Sequence, residues 1–350
     1  MVGRLAFAVP GDLATPTGGY AYDRRMIAEL KALGWQVDVV GLGDGFPRPS
    51  AEQKAFAQAR LAEVDKGTPV VIDGLAFGVL PEAARALYRD YPLVGLVHHP
   101  LALETGLSPP DAAAMKSSEK AALAATQAVI ATSDTTGRLL AQDYDVPFAR
   151  ITVAPPGTDR AAARAANAGE TVRLLSIGSI VPRKGYDVLI AALAMIADLP
   201  WRLAIAGDRT RNIDAAARLD ADIVRHKLGD RIDVLGAVSD EKIVQLYSQS
   251  DVFVLASRFE GYGMVYAEAL AHGLPVIGTT GGAIPEVVPK DAGLLVPPDD
   301  AAALAKVLRE IVTNAEKRES LAAAARVSAA RLPTWQDSAM LFSKAVEAVA

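Results

Sequence analysis

Short apolar runs rich in Val, Ile and Leu alternate along the chain with longer, alanine-rich stretches. The short runs read as strands and the long ones as helices. In the first half the strand runs are RLAFAVP, WQVDVVGL, PVVIDGL, LVGLVHH, QAVIATS and RITVAP. In the second half they are TVRLLSIG, WRLAIAG, RIDVLG, DVFVLAS, LPVIGT and GLLVP. Strands of this kind, each separated from the next by a helix, predict α/β domains with parallel sheets covered on both faces.

The alternation is interrupted by PPGTDRAAARAANAGETVR, which is rich in proline, glycine and small residues. This predicts a linker over 157–169 and a new sheet starting near Val172. The chain then divides into two doubly wound domains, 1–168 and 169–332, each of about 160 residues, an ordinary domain size. The tail LPTWQDSAMLFSKAVEAVA predicts one more amphipathic helix after a proline break, over about 333–350. Ligands of open parallel sheets sit outside the carboxyl ends of the strands, so the chemistry is to be sought in the loops that follow them.

Composition narrows the field. The 350 residues are 51% hydrophobic and 22% charged, as in a well-packed globular protein. A net charge of −5 without a polybasic run speaks against nucleic acid and against anionic lipid. There is no cysteine, which excludes disulfides, thiolate zinc sites and cysteine nucleophiles. The opening MVGRLAFAVPGD is too short an apolar run for a secretory signal. No stretch approaches the ~20 apolar residues of a membrane span. A cytoplasmic protein is expected.

Four loops carry candidate chemistry. After the first strand, Gly18 and Gly19 are expected to precede a helix whose stripe is Met26, Ile27, Leu30 and Leu33. Bare amides at a helix start favour an anion, although the spacing is not the G-x-G-x-x-G of dinucleotide folds. After LVGLV come His98 and His99, of which alternation should turn one inward and one outward. A histidine there can hydrogen-bond a substrate hydroxyl. No acid or third histidine stands at a spacing that would make it a metal site.

In the second half SIGSIVPRKGYDVL places Arg183, Lys184 and Gly185 before a helix, a clamp for phosphate. The stretch SRFEGYGMVYAEALAHG sets Glu260 in a loop and Glu268 in a helix, around Gly261 and Gly263. A carboxylate in such a helix can accept both hydroxyls of a ribose, which leaves Glu260 nearer the cleft. Gly281 and Gly282 can offer further amides. Two Asp-x-Asp tripeptides, at Asp143–Asp145 and Asp220–Asp222, lie where their side chains would not converge on a metal.

These residues resemble a retaining glycosyltransferase of family 4. The resemblance covers nearly the whole chain and is strongest in RKGYDVLIAAL, in the long run from VLGAVSDEK to GGAIPEVV, and in AGLLVPPDD. It implies a GT-B fold, two doubly wound domains facing across a cleft, with the final helix around Trp335 returning to the first. It implies a metal-independent transfer of a sugar from a UDP- or GDP-sugar to an acceptor hydroxyl, with no cofactor. The acceptor class would be a glycan, a small molecule or a lipid-linked sugar, with at most peripheral membrane contact.

By the same resemblance Glu268 would hold the ribose, Glu260 the donor sugar and Lys184 the diphosphate. The amides near Gly263, Met264 and Val265 would help, Gly18 and Gly19 would close on the diphosphate, and His98 would be catalytic with His99 the fallback. The family's arginine after the glycine of SIGS is replaced by Ser179, and Arg183 is the candidate to supply its charge. Two other readings use the same residues: a sugar-nucleotide epimerase or hydrolase, and a non-catalytic nucleotide-sugar-binding subunit.

Overall fold

The computed structural model describes residues 3–161 and 169–350; part of the expected linker, 162–168, lies outside the described residues. The chain forms two compact units, Met1–Gly157 with Pro333–Ala350, and Thr158–Leu332. All twelve apolar runs are strands.

In the first unit β1 (Arg4–Val9), β2 (Gln36–Gly41), β3 (Val70–Asp73), β4 (Leu93–Val97), β5 (Ala128–Ala131) and β6 (Ile151–Val153) make one parallel sheet in the order β2-β1-β3-β4-β5-β6. β1, β3, β4 and β5 are buried almost throughout, because helices cover both faces. The final helix, Trp335–Glu347, belongs to this unit. Its Phe342 stacks on Phe7 of β1 at 5.9 Å, and the Trp35 indole N–H donates to Ser343 Oγ at 2.9 Å. Thr334 caps its start in a reciprocal box with Asp337.

In the second unit β7 (Val172–Ile177), β8 (Trp201–Ala206), β9 (Ile232–Gly236), β10 (Val252–Val254), β11 (Val276–Thr279) and β12 (Gly293–Val296) form a parallel sheet ordered β12-β11-β10-β7-β8-β9. Its core holds Trp201, Tyr247, Phe253 and Tyr266, all essentially buried.

Each sheet reverses its strand order once. In the first unit the reversal lies between β1 and β3, in the second between β7 and β10. The connections on either side of such a pair leave toward opposite faces, and this opens a crevice at the carboxyl ends. The candidate residues stand at these two reversals.

Candidate functional site

In the second unit the loop after β7 runs through a short turn, Pro182–Lys184, to Gly185, which caps the helix Tyr186–Ala194. Gly185 has φ +65°, and a Cβ there would lie 2.0 Å from the carbonyl oxygen of Ala256. Only glycine lets the two loops of the reversal approach this closely. The loop after β10 is held from several sides. Arg258 bonds Asp187 at 2.7 Å, Asp299 at 2.7 Å and the carbonyl of Pro182. Glu260 makes a parallel bridge with Gly282, whose φ is +64° and whose Cβ would meet Glu260 O at 2.2 Å.

These constraints bring Arg183, Lys184 and Glu260 together. Lys184 Nζ donates to Glu260 Oε1 at 2.7 Å, Ser257 Oγ donates to the same oxygen at 2.6 Å, and Arg183 donates to Oε2 at 3.1 Å. Arg183 also donates to the carbonyl of Phe259 at 2.8 Å, so its charge faces the loop of Glu260. Burial alone would raise the Glu260 pKa, but the charges of Lys184 and Arg183 and the hydrogen bonds from Lys184 and Ser257 more than offset it. The pKa falls to about 2. Glu260 is thus a permanent carboxylate tied to both cations.

Gly263, at φ +99°, caps the helix Met264–Ala271, and Met264 and Val265 open its first turn. Glu268 lies one turn further. The Tyr247 hydroxyl, 2.9 Å from Glu268 Oε2, comes from the helix Asp240–Gln249, and its ring stacks on His272 at 4.8 Å. Burial raises the Glu268 pKa and the charges of Asp159 and Asp240 add to that, while the tyrosine hydrogen bond opposes them. The Gly281 amide donates to Thr279 Oγ1 at 3.2 Å, so this amide is spent inside the loop rather than offered outward.

In the first unit the helix begins at Gly18 itself, not after Gly19. Thr17 is the cap and accepts from the Tyr20 amide at 3.3 Å, so both glycines lie in the first turn of the helix Gly18–Ala32. His98 and His99 lie beyond the end of β4, where strand alternation no longer applies, and their side chains are equally exposed at 21% and 20%. Their partners distinguish them. His99 Nε2 is 3.6 Å from Glu104, whereas His98 Nε2 lies 3.2 Å from Asp23 Oδ1 and 3.1 Å from Asp73 Oδ2.

Asp23 stands one turn past Gly19, and Asp73 ends β3. The acids that spacing did not supply arrive from two other elements, and together with His98 they make a donor set of the kind that can hold a metal ion. A Cβ on Gly19 would lie 3.4 Å from the His98 ring, and Tyr22 packs edge-on to that ring at 5.2 Å.

Sequence reasoning passed over Asp23, Asp73, Ser257 and Tyr247. Asp73 carried a signal, an acid closing an apolar run at a strand's carboxyl end. Tyr247 carried none, since it is one polar-tipped residue in an amphipathic helix. Of the Asp-x-Asp candidates, Asp143 and Asp145 face Lys116 and Lys120, while Asp220 and Asp222 face Arg209 and Arg225.

The chain is similar to a D-inositol 3-phosphate glycosyltransferase of Xylanimonas cellulosilytica, 30% identical over 273 residues, or 71% of this chain and 64% of that protein. It is similar to a GDP-mannose-dependent monoacylated alpha-(1-6)-phosphatidylinositol monomannoside mannosyltransferase of Corynebacterium glutamicum, 29% identical over 201 residues, 55% of this chain and 51% of that one. The chain thus spans less than two thirds of the length of these relatives.

Among solved structures, the sucrose-phosphate synthase of Thermosynechococcus elongatus superposes with a TM-score of 0.80 over 99% of both chains at 21% identity. That likeness speaks for the fold alone, which is GT-B. No helix among the described residues is long and apolar enough to cross a membrane. The family model for glycosyl transferases group 1 matches residues 158–328, and that for glycosyltransferase family 4 matches 21–162. The chain belongs to the group 1 glycosyl transferases, with a first half of the family 4 type.

Proposed function

We propose that this chain transfers a sugar from a nucleoside-diphosphate sugar to an acceptor hydroxyl, with retention of configuration and without a metal at the diphosphate. One observation carries the reading: Lys184, Arg183 and Glu260 meet at the strand-order reversal of the second sheet, and the helix that follows the Glu260 loop carries a second carboxylate, Glu268, fixed by Tyr247. Two cations at a crevice suit a diphosphate, and a carboxylate in the helix after the Glu260 loop suits a ribose.

In this reading Lys184 and Arg183 absorb the charge that builds on the leaving diphosphate, a differential interaction that lowers the barrier rather than merely tightening binding. The first-turn amides of Met264 and Val265 add the positive end of a helix. Glu260 divides its oxygens between those cations and the hydroxyls of the sugar. His98 is assigned the role of hydrogen-bonding a substrate hydroxyl. The relatives named above act on an inositol phosphate and a phosphatidylinositol mannoside, the latter with GDP-mannose. GDP- and UDP-sugars are therefore the donors to try first, with phosphorylated polyols and glycolipids as acceptors.

A thermal-shift panel of nucleoside diphosphates and their sugars tests donor binding. A ligand at 100 times its dissociation constant adds about 2.7 kcal/mol of stability. Free nucleotide released with and without acceptor then separates transfer from epimerisation or hydrolysis. Indifference to every nucleoside diphosphate would end the proposal.

A further inference from the structure

We propose that Arg258 is a positioning residue of the phosphate site: its guanidinium fastens the turn that carries Arg183 and Lys184 to the loop that carries Glu260, and so sets the two cations in place for a diphosphate. The fastening stands on the geometry of the second unit. Its use in holding a nucleotide rests on the function proposed above.

Arg258 lies just past β10, which neighbours β7 in the sheet, and its main chain is fixed first. Its amide donates to the Arg183 carbonyl at 2.8 Å. On the other side a Cβ at Gly281 would lie 2.3 Å from the Arg258 carbonyl oxygen, so only a bare backbone fits there.

The side chain then joins three segments. Nη1 donates to the carbonyl of Pro182, which opens the turn Pro182–Lys184, and to Asp187 Oδ1 at 3.1 Å. Nη2 donates to Asp187 Oδ2 at 2.7 Å, which completes a two-pronged pair with the first turn of the helix Tyr186–Ala194. Nε donates to Asp299 Oδ1 at 2.7 Å, beyond the end of β12. Asp299 has φ +61°, a left-handed conformation uncommon outside glycine, so the turn that presents this acid runs against the usual backbone preference.

Exposed ion pairs as a rule add little, and the side chains of Asp187 and Asp299 are 55% and 60% exposed. The exceptions are forked arginine pairs and networks, and this contact is both. Burial works against the Asp187 carboxylate, but the hydrogen bonds and charge of Arg258 outweigh it, and its pKa is lowered.

The partners of the three cations divide their roles. A guanidinium offers its N–H groups in one plane, and Arg258 commits four of them inside the protein. It is placed to brace and not to bind phosphate. Arg183 and Lys184 turn to Glu260 instead. Without the fork, joining the two loops would fall to the main-chain hydrogen bond and to the cations' own bonds to Glu260. Those last are the bonds a diphosphate must loosen. Lysine in place of Arg258 keeps the charge and lacks the fork, and so separates charge from geometry.

Calorimetry on the full chain with GDP, UDP and the corresponding monophosphates tests this. In Arg258→Met the affinity for the diphosphate should fall about tenfold or more, roughly what one charged hydrogen bond contributes. The monophosphate should lose much less, so that the preference for the diphosphate shrinks. A merely destabilised fold would weaken both alike. Arg258→Lys should behave like Arg258→Met. Asp187→Asn should shift the preference in the same direction and add little to Arg258→Met, since both break one pair. Should Arg258→Met fail to fold, Arg258→Lys and Asp187→Asn decide. A wild-type preference in Arg258→Lys overturns the assignment, and so does an equal loss of monophosphate and diphosphate. A wild type that binds neither nucleotide ends the proposed function and this inference with it.

Discussion

Replacing Glu260 by glutamine keeps the size of the side chain and removes its charge. Two routes give the size of the effect. The Glu260 pKa of about 2 lies roughly 2.5 below its ordinary value, and at about 1.4 kcal/mol per unit this makes the folded state more stable by roughly 3 kcal/mol. Independently, removing one partner of a buried ion pair costs about 3–5 kcal/mol, because the remaining charge is left uncompensated. Here two cations would be left, at 13% and 17% side-chain exposure. Both routes point to about 3 kcal/mol, which for a domain of this size lowers the melting temperature by roughly 6–12 °C.

The sign with pH follows. A carboxylate whose folded pKa is depressed stabilises above its unfolded pKa and loses that contribution as pH falls through the folded one. The gap between wild type and Glu260→Gln should therefore be full at pH 7 and should close steadily below about pH 4.5. The assay is melting of the second-unit transition across pH, with and without nucleoside diphosphate. Because Glu260 occupies the same cations that a diphosphate would use, the nucleotide should stabilise the variant at least as much as it does the wild type. A variant that melts within a degree of wild type at pH 7 would refute the electrostatic reasoning. A nucleotide that rescues the wild type but not the variant would refute the claim that Lys184 and Arg183 await a phosphate.

Glu268→Ala should weaken nucleoside diphosphate by about 1.5–3 kcal/mol, the range for a charged hydrogen bond, and Tyr247→Phe should weaken it less but in the same direction; calorimetry on both checks the pairing, and an effect of Tyr247→Phe without one of Glu268→Ala would break it. His98→Ala should lower turnover strongly while leaving nucleotide affinity nearly intact, and His99→Ala should do much less; the reverse order in a turnover assay would mean the wrong histidine was chosen. Glu119, buried beneath the loop after β4, accepts the Leu101 amide at 3.1 Å, and burial pushes its pKa up to about 8. A raised carboxylate pKa means that stability is lost as pH climbs from about 4.5 to 8, with a slope of at most about 1.4 kcal/mol per pH unit. Glu119→Gln should flatten that slope in denaturant titrations at pH 5, 7 and 8.5, and an unchanged slope would count against it.

The strands were legible because a parallel sheet buried on both faces demands short runs that are apolar on both sides, as LAFAV and VVI are. The donor-side residues were legible for a related reason. Lys184 and Glu260 each adjoin a glycine, Arg183 lies two positions before one, and Glu268 follows a helix start by about one turn. The binding partner of Glu260 was not legible. Nothing local says that its carboxylate would close on Lys184, 76 positions earlier, because that contact is made by the adjacency of β7 and β10 rather than by either loop.

The first unit shows the same limit more sharply. His98 and Asp23 are 75 positions apart, and His98 and Asp73 are 25 apart. Periodicity tells which residues end a strand but not which strands are neighbours. Once β3 is seen beside β4, with Asp73 opposite Leu96, an acid at the end of one strand must stand close to a histidine just past the end of the next. Once β1 is seen on the other side of β3, the first turns of the helix after β1 lie over the same crevice, and Asp23 follows. The two histidines were therefore inseparable by alternation and are separated by strand order. The residue that meets Asp23 and Asp73 is the one nearer the end of β4, which is why His98 and not His99 stands between them.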